Sequence, residues 1–96
     1  MSTQKTHDII VSYLKSYNPE FIGLFGSFAR GDNSDSSDID ILIRFQTTHS
    51  LLKLIKIENE LSELLGLKVD LVTEGAIKNE RIRQSIQQDL QIIYEV

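Results

Sequence analysis

Apolar and polar residues alternate most regularly between Asp38 and Phe45, where the period of two predicts a β-strand with one buried face. Because successive side chains of a strand point to opposite sides, both faces can be assigned from the sequence. The apolar face carries Ile39, Ile41, Ile43 and Phe45, and the other carries Asp38, Asp40, Leu42 and Arg44. The run from Phe21 to Phe25 is apolar on both faces apart from Gly23, which is typical of an interior strand covered on both sides.

Helical periods fill the segments around these strands. An apolar stripe predicts a helix from residue 3 to about 17, and the glycine-serine turn predicts a short helix near Ser27. A second long helix is predicted from a cap at Thr48 or Ser50 to Gly66. Its predicted buried stripe consists of Leu51, Leu54, Ile55, Leu61, Leu64 and Leu65.

The rest of the chain adds one or two strands and a last helix. Alternation predicts a strand over Leu67–Thr73, with Asp70 on the face opposite the core, and a helix over about Ala76–Gln88. Residues 32–37 form a Ser, Asp and Asn loop, and residues 90–96 close as a strand or as a packed tail. The predicted fold is α/β (α+β), a small mixed sheet of three to four strands with covering helices. Its element order is α-β-α-β-α-β-α, followed by a fourth strand if residues 90–96 form one.

Length and composition predict one domain over residues 1–96, because 41% of the residues are hydrophobic and 25% are charged. The chain contains no cysteine, which excludes disulfides and thiolate zinc sites. It has no apolar run long enough to span a membrane and no signal-peptide core, so we expect a cytoplasmic protein. The net charge of −4 argues against direct nucleic-acid binding, which depends on neutralising phosphates with basic residues.

Two carboxylates share the polar face of the predicted Asp38–Phe45 strand. Asp38 and Asp40 lie roughly 7 Å apart along the strand, and their repulsion is about 2 kcal/mol at an effective dielectric constant near 20. A cation would remove this repulsion, and Mg²⁺ is usually held by one or two carboxylates together with substrate phosphates. Asp70 can face the same spot from a neighbouring strand. For Arg44, on the same face, a structural ion pair is predicted.

The glycine-serine turn before the acidic loop predicts an anion site. Free backbone N–H groups and the Ser27 hydroxyl would face outward where the first strand ends, and glycine at position 26 lets a phosphate approach the backbone. Arg30 either contacts the same phosphates or pairs with Asp32 or Asp35. Purely structural roles are also open: Gly26 as a turn residue, Ser27 as a helix cap, and the acid pair as a solvated strand edge.

These elements together resemble the DNA polymerase β-type nucleotidyltransferase superfamily. The resemblance rests on GSFARG at Gly26–Gly31, the ten-residue gap between Ser27 and Asp38, the run SDIDILI, and the later Asp70. Within that superfamily these motifs are most similar to those of the minimal nucleotidyltransferases, which are the antitoxins of HEPN-domain toxins. The resemblance covers nearly the whole chain. Phe28 departs from the pattern because many relatives carry Arg there.

The resemblance implies a Mg²⁺-dependent nucleotidyltransferase that transfers AMP from ATP to a hydroxyl, a tyrosine hydroxyl in particular, of a partner HEPN-type toxin. The chain would form a heteromeric complex with this toxin and neutralise it as the antitoxin. Two Mg²⁺ ions are implied. The implied site residues are Asp38, Asp40 and Asp70 for metal binding and catalysis, and Gly26, Ser27 and Arg30 for the nucleotide.

Only residues 71–96 follow Asp70, too few for a second lobe, so we expect the acceptor to bring its own binding surface, as a partner protein does. Two other functions stay open. The chain could be a non-catalytic antitoxin that masks its partner, or a nucleotidyltransferase that acts on a small molecule or an RNA 3′ end. An inactive Asp38→Ala variant that still inhibits the partner would favour masking.

Overall fold

A four-stranded mixed sheet forms the centre of the protein. The computed structural model describes residues 3–31 and 38–96, and the predicted loop over residues 32–37 lies outside them. The strands are β1 (Pro19–Phe25), β2 (Ile39–Phe45), β3 (Val69–Thr73) and β4 (Gln91–Glu95). In the sheet order β3-β2-β1-β4, β1 is antiparallel to β2 and β4, and β2 is parallel to β3. The prediction of a small mixed sheet is confirmed, with the final strand formed.

The helices alternate with these strands in the predicted order. They are α1 (Thr3–Leu14), α2 (Ser27–Arg30), α3 (Leu51–Leu65) and α4 (Glu80–Asp89), with 3₁₀ turns at Lys15–Tyr17 and Glu74–Ala76. Helix α3 is the crossover between the parallel strands β2 and β3, as such a connection requires. No helix in the described part of the chain, residues 3–31 and 38–96, is long and apolar enough to cross a membrane.

The main core lies between one face of the sheet and the helices α1 and α3. Its buried side chains are Ile10, Leu14, Ile22, Leu24, Ile39, Ile41, Ile43, Ile57, Leu61, Leu65 and Val69. Tyr13 of α1 also donates a hydrogen bond to Glu60 of α3. Burial, together with the hydrogen bonds to Glu60 and Tyr17, raises the pKa of Tyr13, so the hydroxyl remains a donor. One face of β2 is therefore fixed as core, and its polar face must point to the other side.

The predicted buried stripe of α3 was wrong in part. Leu61 and Leu65 are buried, but the third buried residue is Ile57, while Leu51, Ile55 and Leu64 are exposed. Residues 57, 61 and 65 follow the four-residue spacing of a single helix face. Because α3 has apolar residues on more than one face, the sequence alone did not show which stripe meets the sheet.

Helix α4 covers part of the opposite face of the sheet. Ile86 of α4 and Leu42 of β2 are both buried there, so the face assigned as polar is apolar at its middle. The helix begins at Glu80 rather than near Ala76, because the Asn79 side chain accepts hydrogen bonds from the backbone of residues 81 and 82. This later start leaves the segment 76–79 outside the helix, where it forms part of the lining of a cleft beside the sheet.

Replacing Ser50 with Ala is expected to lower the free energy of unfolding by about 1 kcal/mol. The Ser50 Oγ accepts a hydrogen bond from the Lys53 N–H at 3.1 Å and so caps α3. Urea denaturation of both proteins measures the difference. Ser50→Asp keeps an acceptor at the cap and should retain nearly all the stability; an equal loss in both variants would contradict the capping role.

Candidate active site

The pairing of β2 with β3 places two carboxylates side by side. Asp40 and Asp70 are register partners in these parallel strands, whose backbones lie about 4.8 Å apart. The residues on either side of Asp40, Ile39 and Ile41, point into the core, so both acids lie on the α4 side of the sheet. Asp40 is half-buried and Asp70 is exposed. One acid is thus held by the protein while the other is open to a second molecule.

Asp40 packs directly against the glycine-serine turn. Phe25, the last residue of β1, is its partner across the sheet, and the turn residue Gly26 follows. Gly26 has φ 75° and ψ −155°, and a Cβ added there would lie 2.3 Å from Asp40 Oδ2. Only glycine permits this approach. Ser27 begins α2 directly after the turn and does not itself line the adjoining cleft.

The surroundings of Asp40 oppose its ionisation. Burial raises the pKa of Asp40, the neighbouring Asp70 and Asp38 raise it further, and Arg30 lowers it. A cation bound at this point would offset both the burial and the repulsion between the carboxylates. The electrostatics of the site therefore favour a positively charged ligand, and they weaken the interpretation of the acids as a solvated strand edge.

Asp38 directly precedes β2, and its charge acts on Asp40. Its carboxylate is 4.0 Å from Lys68 Nζ, and about half of its side chain is exposed. Within residues 3–31 and 38–96, no three Asp, Glu, His or Cys side chains are gathered closely enough to hold a metal ion by themselves. The structure thus brings Asp40 and Asp70 together and, among the described residues, does not join Asp38 to them in a three-ligand cluster.

Arg30 faces the same region from the end of α2. Its Nη1 donates to Asp89 Oδ2 of α4 at 2.8 Å, and its charge acts on Asp40 as well. The alternative partners Asp32 and Asp35 lie outside the described residues. Asp89 was not predicted as a site residue, because nothing in the sequence links positions 30 and 89 before the chain is folded.

Arg44 has the structural role that the sequence predicted. Its Nε is 2.9 Å from a carboxylate oxygen of Glu20, and its Nη1 is 3.7 Å from one of Glu74. These partners hold Arg44 at the far end of β2 from Asp40. It is therefore not one of the residues available to a ligand beside the acid pair.

A cleft of about 530 Å³ opens over the acid pair, a volume within the usual range for small-molecule sites. One part of its wall is polar, with Gly26, Arg30, Asp40, Asp70 and Asp89. The other part is mainly apolar and comes from β3, the 76–78 segment and α4. Sequence reasoning missed this apolar part, because its residues belong to three separate elements that only the fold brings together.

Comparison with known proteins agrees with this geometry. The profile of the nucleotidyltransferase domain family matches residues 7–93. The protein adenylyltransferase MntA of Thermococcus cleftensis is 39% identical over 83 residues, which cover 82% of this chain and 84% of MntA. A Methanocaldococcus jannaschii protein, MJ0128, whose name proposes protein adenylyltransferase activity, is 50% identical over 76 residues, or 79% of this chain and 78% of that protein.

Solved structures share the fold at lower identity. A toxin–antitoxin structure with AMP-PNP superposes with a TM-score of 0.84 at 23% identity, covering 94% of this chain and 73% of the other. A complex of a tri-AMPylated Shewanella oneidensis HEPN toxin with its MNT antitoxin gives a TM-score of 0.81 at 21% identity, covering 99% and 74%. Because the family profile matches nearly the whole of this chain, the chain belongs to the nucleotidyltransferase domain family.

Proposed function

We propose that this chain transfers AMP from ATP to a hydroxyl group, a tyrosine hydroxyl in particular, of a HEPN-type toxin, and thereby neutralises the toxin as its antitoxin. The observation that carries the proposal is the Asp40–Asp70 pair in the lining of an open cleft, with Asp40 packed against Gly26. The 39% identity to a protein adenylyltransferase and the fold shared with antitoxins bound to HEPN toxins support the choice of reaction and partner. Residues 1–96 would act as one domain in the cytoplasm.

The donor set fits Mg²⁺. Asp40 and Asp70 supply oxygen ligands, and the raised pKa of Asp40 marks a place where positive charge is favourable. Asp38, two residues before Asp40, would join them when nucleotide and metal bind together. Two bound Mg²⁺ ions would neutralise phosphate charge and stabilise the attacking and leaving oxygens of the transfer.

The transfer itself requires little covalent work from the protein. The acceptor hydroxyl oxygen attacks the α-phosphorus of ATP, the bond from that phosphorus to the β-phosphate oxygen breaks, and pyrophosphate leaves. Asp70, which is exposed and so within reach of the acceptor, takes the hydroxyl proton. Asp40 is fixed by its contact with Gly26 and gives the site a constant geometry.

The remaining site residues bind the triphosphate in this proposal. The Gly26 backbone, which lines the cleft, contacts the β- and γ-phosphates, and the Ser27 hydroxyl, next along the chain, would reach them from beside the cleft. Arg30 carries five N–H donors and can donate to a phosphate while keeping its bond to Asp89. Phe28 packs partly buried against the core, so the position where many relatives carry Arg provides no cation here.

Transfer can be tested by incubating the chain with a HEPN-domain toxin, Mg²⁺ and ATP labelled at the α-phosphate. The expected result is label on the toxin, located to a tyrosine by mass spectrometry, together with loss of the toxin's activity. Chelation of Mg²⁺ should abolish both. An unlabelled toxin that is inhibited equally with and without ATP would overturn the proposal in favour of masking, and a labelled product that contains no protein would overturn the choice of acceptor.

A further inference from the structure

Ile82 of α4 is a large apolar side chain that lines the cleft and yet is 54% exposed. A single exposed isoleucine needs no explanation, but this one lines a cleft together with other apolar residues. Val72, Ala76 and Ile77 line the same part of the wall. The four residues, which we call the apolar wall, line the same cleft as the acid pair.

The apolar wall lies at a defined position relative to the acids. Val72 is on the same face of β3 as Asp70 and two residues further along the strand, a distance of about 7 Å. A nucleotide has a similar division: its phosphates carry the charge, and one ribose separates the α-phosphate from a base whose flat ring faces can stack on apolar side chains. A triphosphate at Asp40 and Asp70 would therefore direct its base toward this wall.

We propose that the apolar wall is the nucleobase platform of the cleft, with Ile82 covering one face of the base. This inference rests on the proposed function and adds where the base binds and how it is selected. Among the described side chains of this part of the wall, Lys78 and Ser85 are the polar ones that could hydrogen-bond to the edge of a base. Ile82 contacts the ring face, which adenine and guanine share, so this contact contributes similarly to the binding of ATP and GTP.

The test is the binding of three probes to the isolated chain, measured by isothermal titration calorimetry in the presence of Mg²⁺. The probes are ATP, GTP and inorganic tripolyphosphate, which lacks base and ribose. Replacing Ile82 with Ser is expected to raise the Kd for ATP and for GTP by about tenfold and to leave the Kd for tripolyphosphate unchanged. Leu64→Ser is the matched control, because Leu64 is also helical, is 55% exposed, and lies on α3 away from the cleft.

Each outcome separates this inference from the proposed function. If the unmodified chain binds ATP but Ile82→Ser binds it equally well, the platform is wrong while nucleotide transfer is unaffected. An equal loss of tripolyphosphate binding, or a loss confined to one base, also overturns the platform. If the unmodified chain binds neither ATP nor tripolyphosphate, the proposed function itself is overturned.

Discussion

Replacing Asp40 with Asn is expected to lower kcat for AMP transfer by at least about 100-fold without loss of the fold. Asp40 is the acid that β1, β2 and the glycine turn hold in place beside Asp70. Asn keeps its shape and removes its charge. The rate of label transfer measures the loss, and Asp8→Asn, a change at an exposed aspartate of α1, should retain full activity. An Asp40→Asn protein with normal activity would contradict the catalytic assignment.

The same substitution should stabilise the protein at neutral pH. Since the pKa of Asp40 is raised in the folded state above its ordinary value of 3.8, its protonated form favours folding at low pH. That contribution is lost as the pH rises through the folded pKa. The free energy of unfolding of the unmodified chain should therefore fall relative to that of Asp40→Asn between about pH 4 and pH 7. Urea denaturation at both pH values measures the change, and a difference that is independent of pH would contradict the electrostatic account.

Replacing Gly26 with Ala is expected to reduce transfer by about 100-fold, the loss that follows a misplacement of about 1 Å at a reacting centre. The new Cβ would lie 2.3 Å from Asp40 Oδ2, so the carboxylate or the turn must move. The backbone at Gly26, with φ 75° and ψ −155°, also lies in a region that other residues avoid. The free energy of unfolding should fall by about 1 to 3 kcal/mol. Label transfer and urea denaturation measure the two effects.

The Gly31→Ala variant distinguishes the effect of backbone strain from the effect of displacing the Asp40 carboxylate. Gly31 has φ 81°, also positive, but no atom of the described residues lies within 4 Å of a Cβ added there. We expect a loss of about 1 to 2 kcal/mol of stability from the left-handed backbone and nearly full activity. If Gly31→Ala reduced transfer as much as Gly26→Ala, the contact between Gly26 and Asp40 would not be the cause of the loss.

The strands and the acid pair could be predicted because their signals are local. Alternation in β2 assigns Asp40 to the polar face, and alternation in β3 assigns Asp70 to the same side, so only the pairing of two adjacent strands is needed to bring them together. The boundaries were less certain: β1 begins at Pro19, two residues before the predicted start, and β3 begins at Val69, two residues after it.

The rest of the site depends on contacts between distant parts of the chain. The approach of Gly26 to Asp40 requires the pairing of β1 with β2, and the Arg30–Asp89 ion pair requires α4 to lie across the sheet. Ile82 is exposed although Ile86 of the same helix is buried, and a helical period cannot show how far a short helix stands from the surface it covers. Such contacts have no signature in a single sequence.

The antiparallel pairing of β1 places its two ends in very different surroundings. Phe25 meets Asp40 at one end, while at the other the backbone N–H of Val96 donates to the Glu20 carbonyl at 3.0 Å. Glu20 and Phe25 are five residue steps apart along the strand, a distance of about 17 Å. A fluorophore or an immobilisation tag attached at the Glu20 end of β1 would therefore lie away from the cleft, which makes that end suitable for surface-based or single-molecule measurements.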